Sequence, residues 1–190
     1  MKVIKGTLTI LMLFSVILLQ AQDQADMMKK YQDAMTPGPM HQMLAKMVGD
    51  WKVTTMMPNP MTGEVTPSVG SAKIESLLGG RYFKTTQKGE MMGMPFEGIG
   101  IDAYDNVAKE FITIWIDNMG TGITTMKGKM DETTMHVEYM GEGLDPMTGQ
   151  TVKYRSISKS IDEDTIEFDM FLSQAGQEMK MFSQKYERVK

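Results

Sequence analysis

From Trp51 to the C-terminus the chain alternates polar and apolar residues, and turn-forming pairs interrupt the alternation about every 8–14 positions. Gly79-Gly80, Asp105-Asn106, Asp131-Glu132, Asp162-Glu163 and Ala175-Gly176 supply the interruptions, and each pair tolerates the dihedrals of a tight turn. A period of two places successive side chains on opposite faces of a strand. Tight turns then leave only antiparallel, mostly sequential pairing. The pattern predicts strands near 50–57, 68–78, 81–90, 95–104, 109–117, 122–130, 133–141, 150–161, 164–172 and 178–188. About ten strands in an open sheet would expose two bare edges. Closure into a barrel removes them and leaves room for a small ligand, with a two-sheet sandwich as the competing layout.

Upstream the period is helical. Met27, Met28, Tyr31, Ala34 and Met35 share one side of a segment whose other side carries Lys29, Lys30, Gln32 and Asp33. Thr36-Pro37-Gly38-Pro39 stops that helix, and Pro39 suits the first turn of a second. Met40, Met43, Leu44, Met47 and Val48 stripe the second helix, Gly49 ends it, and His41 falls on its polar side with Gln42. Before both helices, Lys2 and Lys5 precede an apolar run from Leu8 to Leu19, followed by Gln20-Ala21-Gln22. This is the layout of a secretory signal peptide, and it is too short for a spanning helix. The expected organisation is a signal peptide over 1–21, a helical segment over 22–48 and a β-barrel domain over 49–190. Cleavage is expected after Ala21, with Gln22 as the next choice, and export to the periplasm or beyond.

Composition closes several routes. The chain has no cysteine, which excludes disulfides, thiol nucleophiles, Cys-ligated zinc and a lipidated cysteine anchor. The net charge is −4 and no Lys/Arg cluster is visible, so nucleic acid is not an expected partner.

The helix that runs into Gly49-Asp50-Trp51 is similar to the opening of lipocalin-like (calycin) barrels. That resemblance implies a mainly β, about ten-stranded antiparallel barrel preceded by two short helices. It also implies that Trp51 closes one end with Arg188, from the last strand, across its indole. A narrower resemblance rests on Leu78-Gly79-Gly80-Arg81-Tyr82, Gly89-Glu90-Met91-Met92-Gly93-Met94-Pro95-Phe96-Glu97-Gly98, Tyr104-Asp105-Asn106 and Trp115-Ile116-Asp117, in that order. Together they resemble the bacterial family known as domain of unknown function 1579, from about Met43 to Arg188. The family has no established activity, so the resemblance carries over no catalytic residue.

Four site chemistries compete. Thioethers suit Cu(I), and Met91, Met92 and Met94 cluster, with Met40, His41 and Met43 as a second group; yet the 23 methionines are dispersed as in an adaptable core. Heme ligation has only His41 and His136 to draw on. His136 faces outward if Met135 and Val137 face the lumen, and no cofactor is expected. Enzyme chemistry at the rim would need converging carboxylates, but Asp102, Asp105, Asp117, Glu138, Glu142 and Asp145 mostly sit beside turns, and no Ser–His arrangement suggests a triad. A small apolar ligand uses the most features. Met92, Met94, Phe96, Phe111 and Trp115 are the expected ligand-binding residues, while Ile112, Ile114 and Ile116 form a second apolar face for the N-terminal helices to cover. Glu90 to Gly100 is expected to be a strand–turn–strand junction at the lip of a pocket, with Gly93 and Pro95 breaking the ladder. Asn59-Pro60-Met61-Thr62-Gly63 and Asp145-Pro146-Met147-Thr148-Gly149 are expected to be matching turns.

Overall fold

In the computed structural model, which describes residues 22–59, 62–145, 148–174 and 176–190, ten strands close into one antiparallel barrel. They are β1 (Gly49–Pro58), β2 (Val65–Leu77), β3 (Tyr82–Met91), β4 (Met94–Asp105), β5 (Glu110–Asp117), β6 (Thr124–Met130), β7 (Val137–Leu144), β8 (Thr151–Ser160), β9 (Thr165–Gln174) and β10 (Gln177–Arg188). Each strand pairs with its neighbours in sequence, and β10 returns to β1 with Trp51 opposite Arg188. Closure satisfies the backbone groups that an open edge would expose. The expected signal peptide lies outside the described residues.

The chain divides into two compact units at Thr36 and Pro37. The first contains helix α1 (22–35), whose apolar stripe stays open: Met27, Met28, Tyr31 and Met35 are all exposed. The second contains α2 (Pro39–Ala45) and the whole barrel. Gly38 caps α2 and Pro39 takes its first position, where a missing N–H costs nothing.

Helix α2 plugs the base of the barrel. Leu44 is buried in the core with Trp51, Val53, Ile74, Phe83, Phe111 and Ile166, and Met40, Met43 and Met47 pack against it. His41 corrects the sequence reading. It is 6 % exposed rather than on a polar surface, its Nδ1 accepts the Gly38 N–H at 3.1 Å, and its ring meets Tyr104 edge-on at 5.8 Å. Burial lowers its pKa against an opposing pull from the Tyr104 backbone. The capping bond explains the outcome: once Nδ1 is satisfied locally, the remaining ring packs like an aromatic.

The ends of the sheet are clasped at the same base. The Arg188 guanidinium lies 4.2 Å from the Trp51 ring centre. It donates to Val48 O at 2.8 Å, Lys46 O at 2.7 Å and Glu163 O at 3.0 Å, while Trp51 Nε1 donates to Met47 O at 2.8 Å. Gly49 has φ +146°, and a Cβ there would stand 2.5 Å from Arg188 Nη1. The glycine is thus required both by backbone conformation and by the arriving guanidinium.

Two further expectations change. Strand β7 starts at Val137 rather than near 133, because Asp131 folds the preceding residues into a turn. Its Oδ1 accepts the N–H groups of Thr133 and Thr134, and its own N–H donates to His136 O. Met135 therefore sits in that turn at φ 58°, exposed instead of lumen-facing. On β5, Ile114 and Ile116 remain exposed on the outer face.

Replacing Arg188 by Met keeps much of the packing but removes three carbonyl contacts and the charge over the indole. We expect a loss of roughly 2–4 kcal/mol in urea unfolding, only partly restored by Arg188→Lys because an ammonium cannot span the same acceptors. A loss below about 0.5 kcal/mol would contradict the clasp.

Candidate functional site

The candidate site lies at the end opposite α2. Between β1, β2, β3, β4 and β10 lies a cavity of about 540 Å³, within the range usual for small-molecule sites. Its apolar wall comes from Met57 and Pro58 of β1, Pro67 of β2, Met91 and Met92 of the β3–β4 hairpin and Phe96 of β4, while Lys88 and Glu90 put charged groups along its edge. Thr55, Gln87 and Gln184 also line it.

The lip is the two-residue turn Met92-Gly93, with φ 53° and 77°. Both positive values fit the primed turns that match the twist of a hairpin. Met91 and Met94 close the ladder as direct partners. Pro95 does not break it, contrary to expectation. It pairs opposite Glu90, and its carbonyl accepts the Asn118 side-chain N–H at 2.9 Å. Asn118 also exchanges two bonds with the Glu97 backbone, at 3.0 Å each, so one side chain completes β4 where β5 has ended. In the two five-residue repeats, residues 60–61 and 146–147 lie outside the described residues, and the flanking residues carry matching bonds. Asn59 and Asp145 each accept a glycine N–H on their carbonyl at 2.8 Å (from Gly63 and Gly149) and a threonine N–H on Oδ1 (from Thr62 and Thr148).

Phe96 is backed by Trp115, the two rings stacked at 6.4 Å. The indole lies across Gly98 and Gly100, and a Cβ at Gly98 would stand 2.2 Å from its Cζ2. Trp115 Nε1 donates to Asp117 Oδ2 at 2.7 Å, which fixes the ring.

Below the walls the lumen turns polar. Gln184 Nε2 donates to Thr55 Oγ1 at 3.0 Å. The Tyr186 hydroxyl lies 3.1 Å from Gln87 Oε1 and 2.9 Å from Gln184 Oε1, so a single proton faces two carboxamide oxygens. Beneath them Asp102 points inward from β4. Burial pushes its carboxyl up to about 6, against a hydrogen bond with Thr113 that lowers it. Burial, and secondarily the Asp102 charge, raise the phenols of Tyr139 and Tyr186. Asp102 is nonetheless only partly buried by surface area. Ser156 Oγ, across the β7–β8 pairing from Tyr139, is buried without a hydrogen-bond partner.

Of the residues expected from the sequence, Met91, Met92 and Phe96 line the cavity. Met94 sits beside it at the exposed hairpin tip, and Trp115 stands behind Phe96. Phe111 does not reach it: the residue is 1 % exposed in the far core, stacked edge-on against Tyr104 and Tyr139. Gln87, Gln184, Thr55 and Tyr186 escaped the sequence reading, and Asp102 entered it only among the rim carboxylates, whereas it points into the lumen. Their one visible signal was parity, since Thr85 and Gln87 share a face with Phe83. The carboxylates are dispersed: Asp105 caps the Val107 and Ala108 N–H groups and Asp131 its own turn, while Glu138 pairs with Arg155 on the outer face. Among the described residues, no group of three or more His, Asp or Glu is placed to hold a metal ion.

A family model described as "Protein of unknown function (DUF1579)" matches residues 36–188. The chain belongs to the DUF1579 family. No curated protein matches it. Among solved structures, the crystal structure of Rv2717c from M. tuberculosis aligns with a TM-score of 0.58 at 16 % identity, over 82 % of this chain and 100 % of that one. At that identity the likeness shows the fold, and the DUF1579 protein shares it.

Two measurements check this geometry. Gly98→Ala drives a methyl into the Trp115 ring and should cost about 1–3 kcal/mol, with a favourable coupling when Trp115 is shortened to Leu. Additive losses would mean the contact is absent. Asp102 has a folded pKa of about 6 against an ordinary 3.8, so on raising pH the unfolded chain loses the proton first. The carboxyl costs nothing below about pH 4 and roughly 3 kcal/mol above pH 6. Asp102→Asn should therefore stabilise the protein at pH 7–8 and change little near pH 4. Equal destabilisation at both would refute a buried, unpaired carboxylate.

Proposed function

We propose that this protein is an exported, non-catalytic binding domain that takes a small apolar molecule into the mouth of its barrel. The observation that carries the proposal is the cavity of about 540 Å³, walled by Met57, Pro58, Pro67, Met91, Met92 and Phe96. Methionine walls suit a ligand of irregular shape, because unbranched thioether side chains repack at little cost. The non-catalytic part is supported by the dispersal of the carboxylates. Export is proposed from residues 1–21, and detection of the processed chain in the periplasmic or extracellular fraction tests it.

Met91→Glu places a charge in the cavity wall and should weaken binding of an environment-sensitive apolar dye at least about tenfold. Met181→Glu, on the exposed bulge of β10, should leave it unchanged. Dye binding that is absent in the parent, or equal in all three proteins, would remove the cavity from consideration. Native mass spectrometry of protein purified from its own host would identify a co-purifying molecule.

A second proposal is a Cu(I) carrier using Met91, Met92 and Met94. It is favoured by one observation, the direct pairing of Met91 with Met94 across the hairpin, which sets two thioethers on one face. Anaerobic Cu(I) titration tests it. Affinity no tighter than micromolar, or unchanged in Met91→Leu/Met94→Leu, ends that reading.

A further inference from the structure

Resting on the apolar-ligand reading, we infer that the polar floor selects the head of the ligand: an apolar chain ending in an uncharged hydrogen-bonding group, with carboxylate-headed chains rejected. Two independent features of the lumen carry this.

The first is its charge. Inward positions are fixed by alternation with the buried residues of each strand, such as Val53, Phe83, Phe96, Phe111, Tyr139 and Ile166. Among the described residues, Arg188 is the one cation at such a position, and its guanidinium is held at the base by three backbone carbonyls and the Trp51 ring. Lys88 borders the cavity, but its ammonium pairs with Glu97 at 3.3 Å, an outward position of β4. Two acids point inward: Asp102 beneath the floor and Asp117 near the mouth, bonded to the Trp115 indole. An incoming carboxylate would lose its water and meet like charge with no counter-ion, which is the unfavourable case for a buried anion.

The second is its hydrogen-bonding surplus. Tyr186 has one proton for the oxygens of Gln87 and Gln184. With Gln184 Nε2 held by Thr55 Oγ1, both carboxamide oxygens face the one phenol, and the oxygen that Tyr186 does not serve stays open to a donor from the ligand. That acceptor is one that an alcohol or amide N–H satisfies and a carboxylate cannot.

The test is calorimetric titration of the purified protein with 1-octanol, octanoate and octylamine at about pH 8, with the apolar dye as a headless control. Octanol is expected to bind at least about tenfold tighter than octanoate. Gln87→Leu and Gln184→Leu should lower the affinity for octanol relative to that for the dye about tenfold, and Asp102→Asn should narrow the octanol-to-octanoate gap. Octanoate binding as tightly as octanol, or octanol unaffected by Gln87→Leu, overturns the inference while the dye result still supports the binding reading. Octylamine binding tightest, with the advantage lost in Asp102→Asn, also overturns it by making Asp102 a counter-ion. If neither the dye nor any octyl compound binds, the binding reading falls and takes the inference with it.

Discussion

The clasp of Arg188 over Trp51 is the constraint on which the rest depends. An up-and-down barrel has one junction that sequence adjacency does not supply, between the last strand and the first. Here a guanidinium from the end of β10 bonds carbonyls from the α2–β1 connection and from the β8–β9 turn, so three segments meet on one planar group. Its fork geometry is what permits this. The base is locked and plugged by α2, and the opposite end holds the cavity.

The lumen is therefore graded. Aromatic packing runs from His41 through Tyr104 and Phe111 to Tyr139 at the base, followed by a polar tier around Asp102 and Tyr186 and then the methionine walls of the mouth. A packed base alone would need no polar tier, and burying Asp102 without a cation works against stability.

Much of the fold was legible in the sequence because tight turns force sequential antiparallel pairing, and the turn pairs are chemically explicit. The Trp51 and Arg188 pairing was legible as a family resemblance. Strand β7 slipped because alternation continues through Thr133 to His136 while the Asp131 side chain competes for the backbone. His41 was misjudged because helical periodicity ranks polarity, and a capping bond to Gly38 changes what that ring must do. Pro95 was misjudged because its missing N–H suggested a break, whereas Asn118, over twenty positions away in sequence, secures its carbonyl. The cavity walls at Met91, Met92 and Phe96 were visible as a local phrase. The floor was not, because Thr55, Gln87 and Gln184 come from three strands and converge only after β10 closes on β1.

On the proposed binding reading the mouth, and not the base or the outer face, receives the ligand. Methyl-labelled methionine NMR tests it most directly, because methionines occur at all three places. Titration with 1-octanol should shift the Met57, Met91 and Met92 methyl signals saturably, leaving Met40 and Met43 at the base and Met140 on the outer face in place. Shifts confined to Met140, or spread without saturation over every methionine, would contradict it.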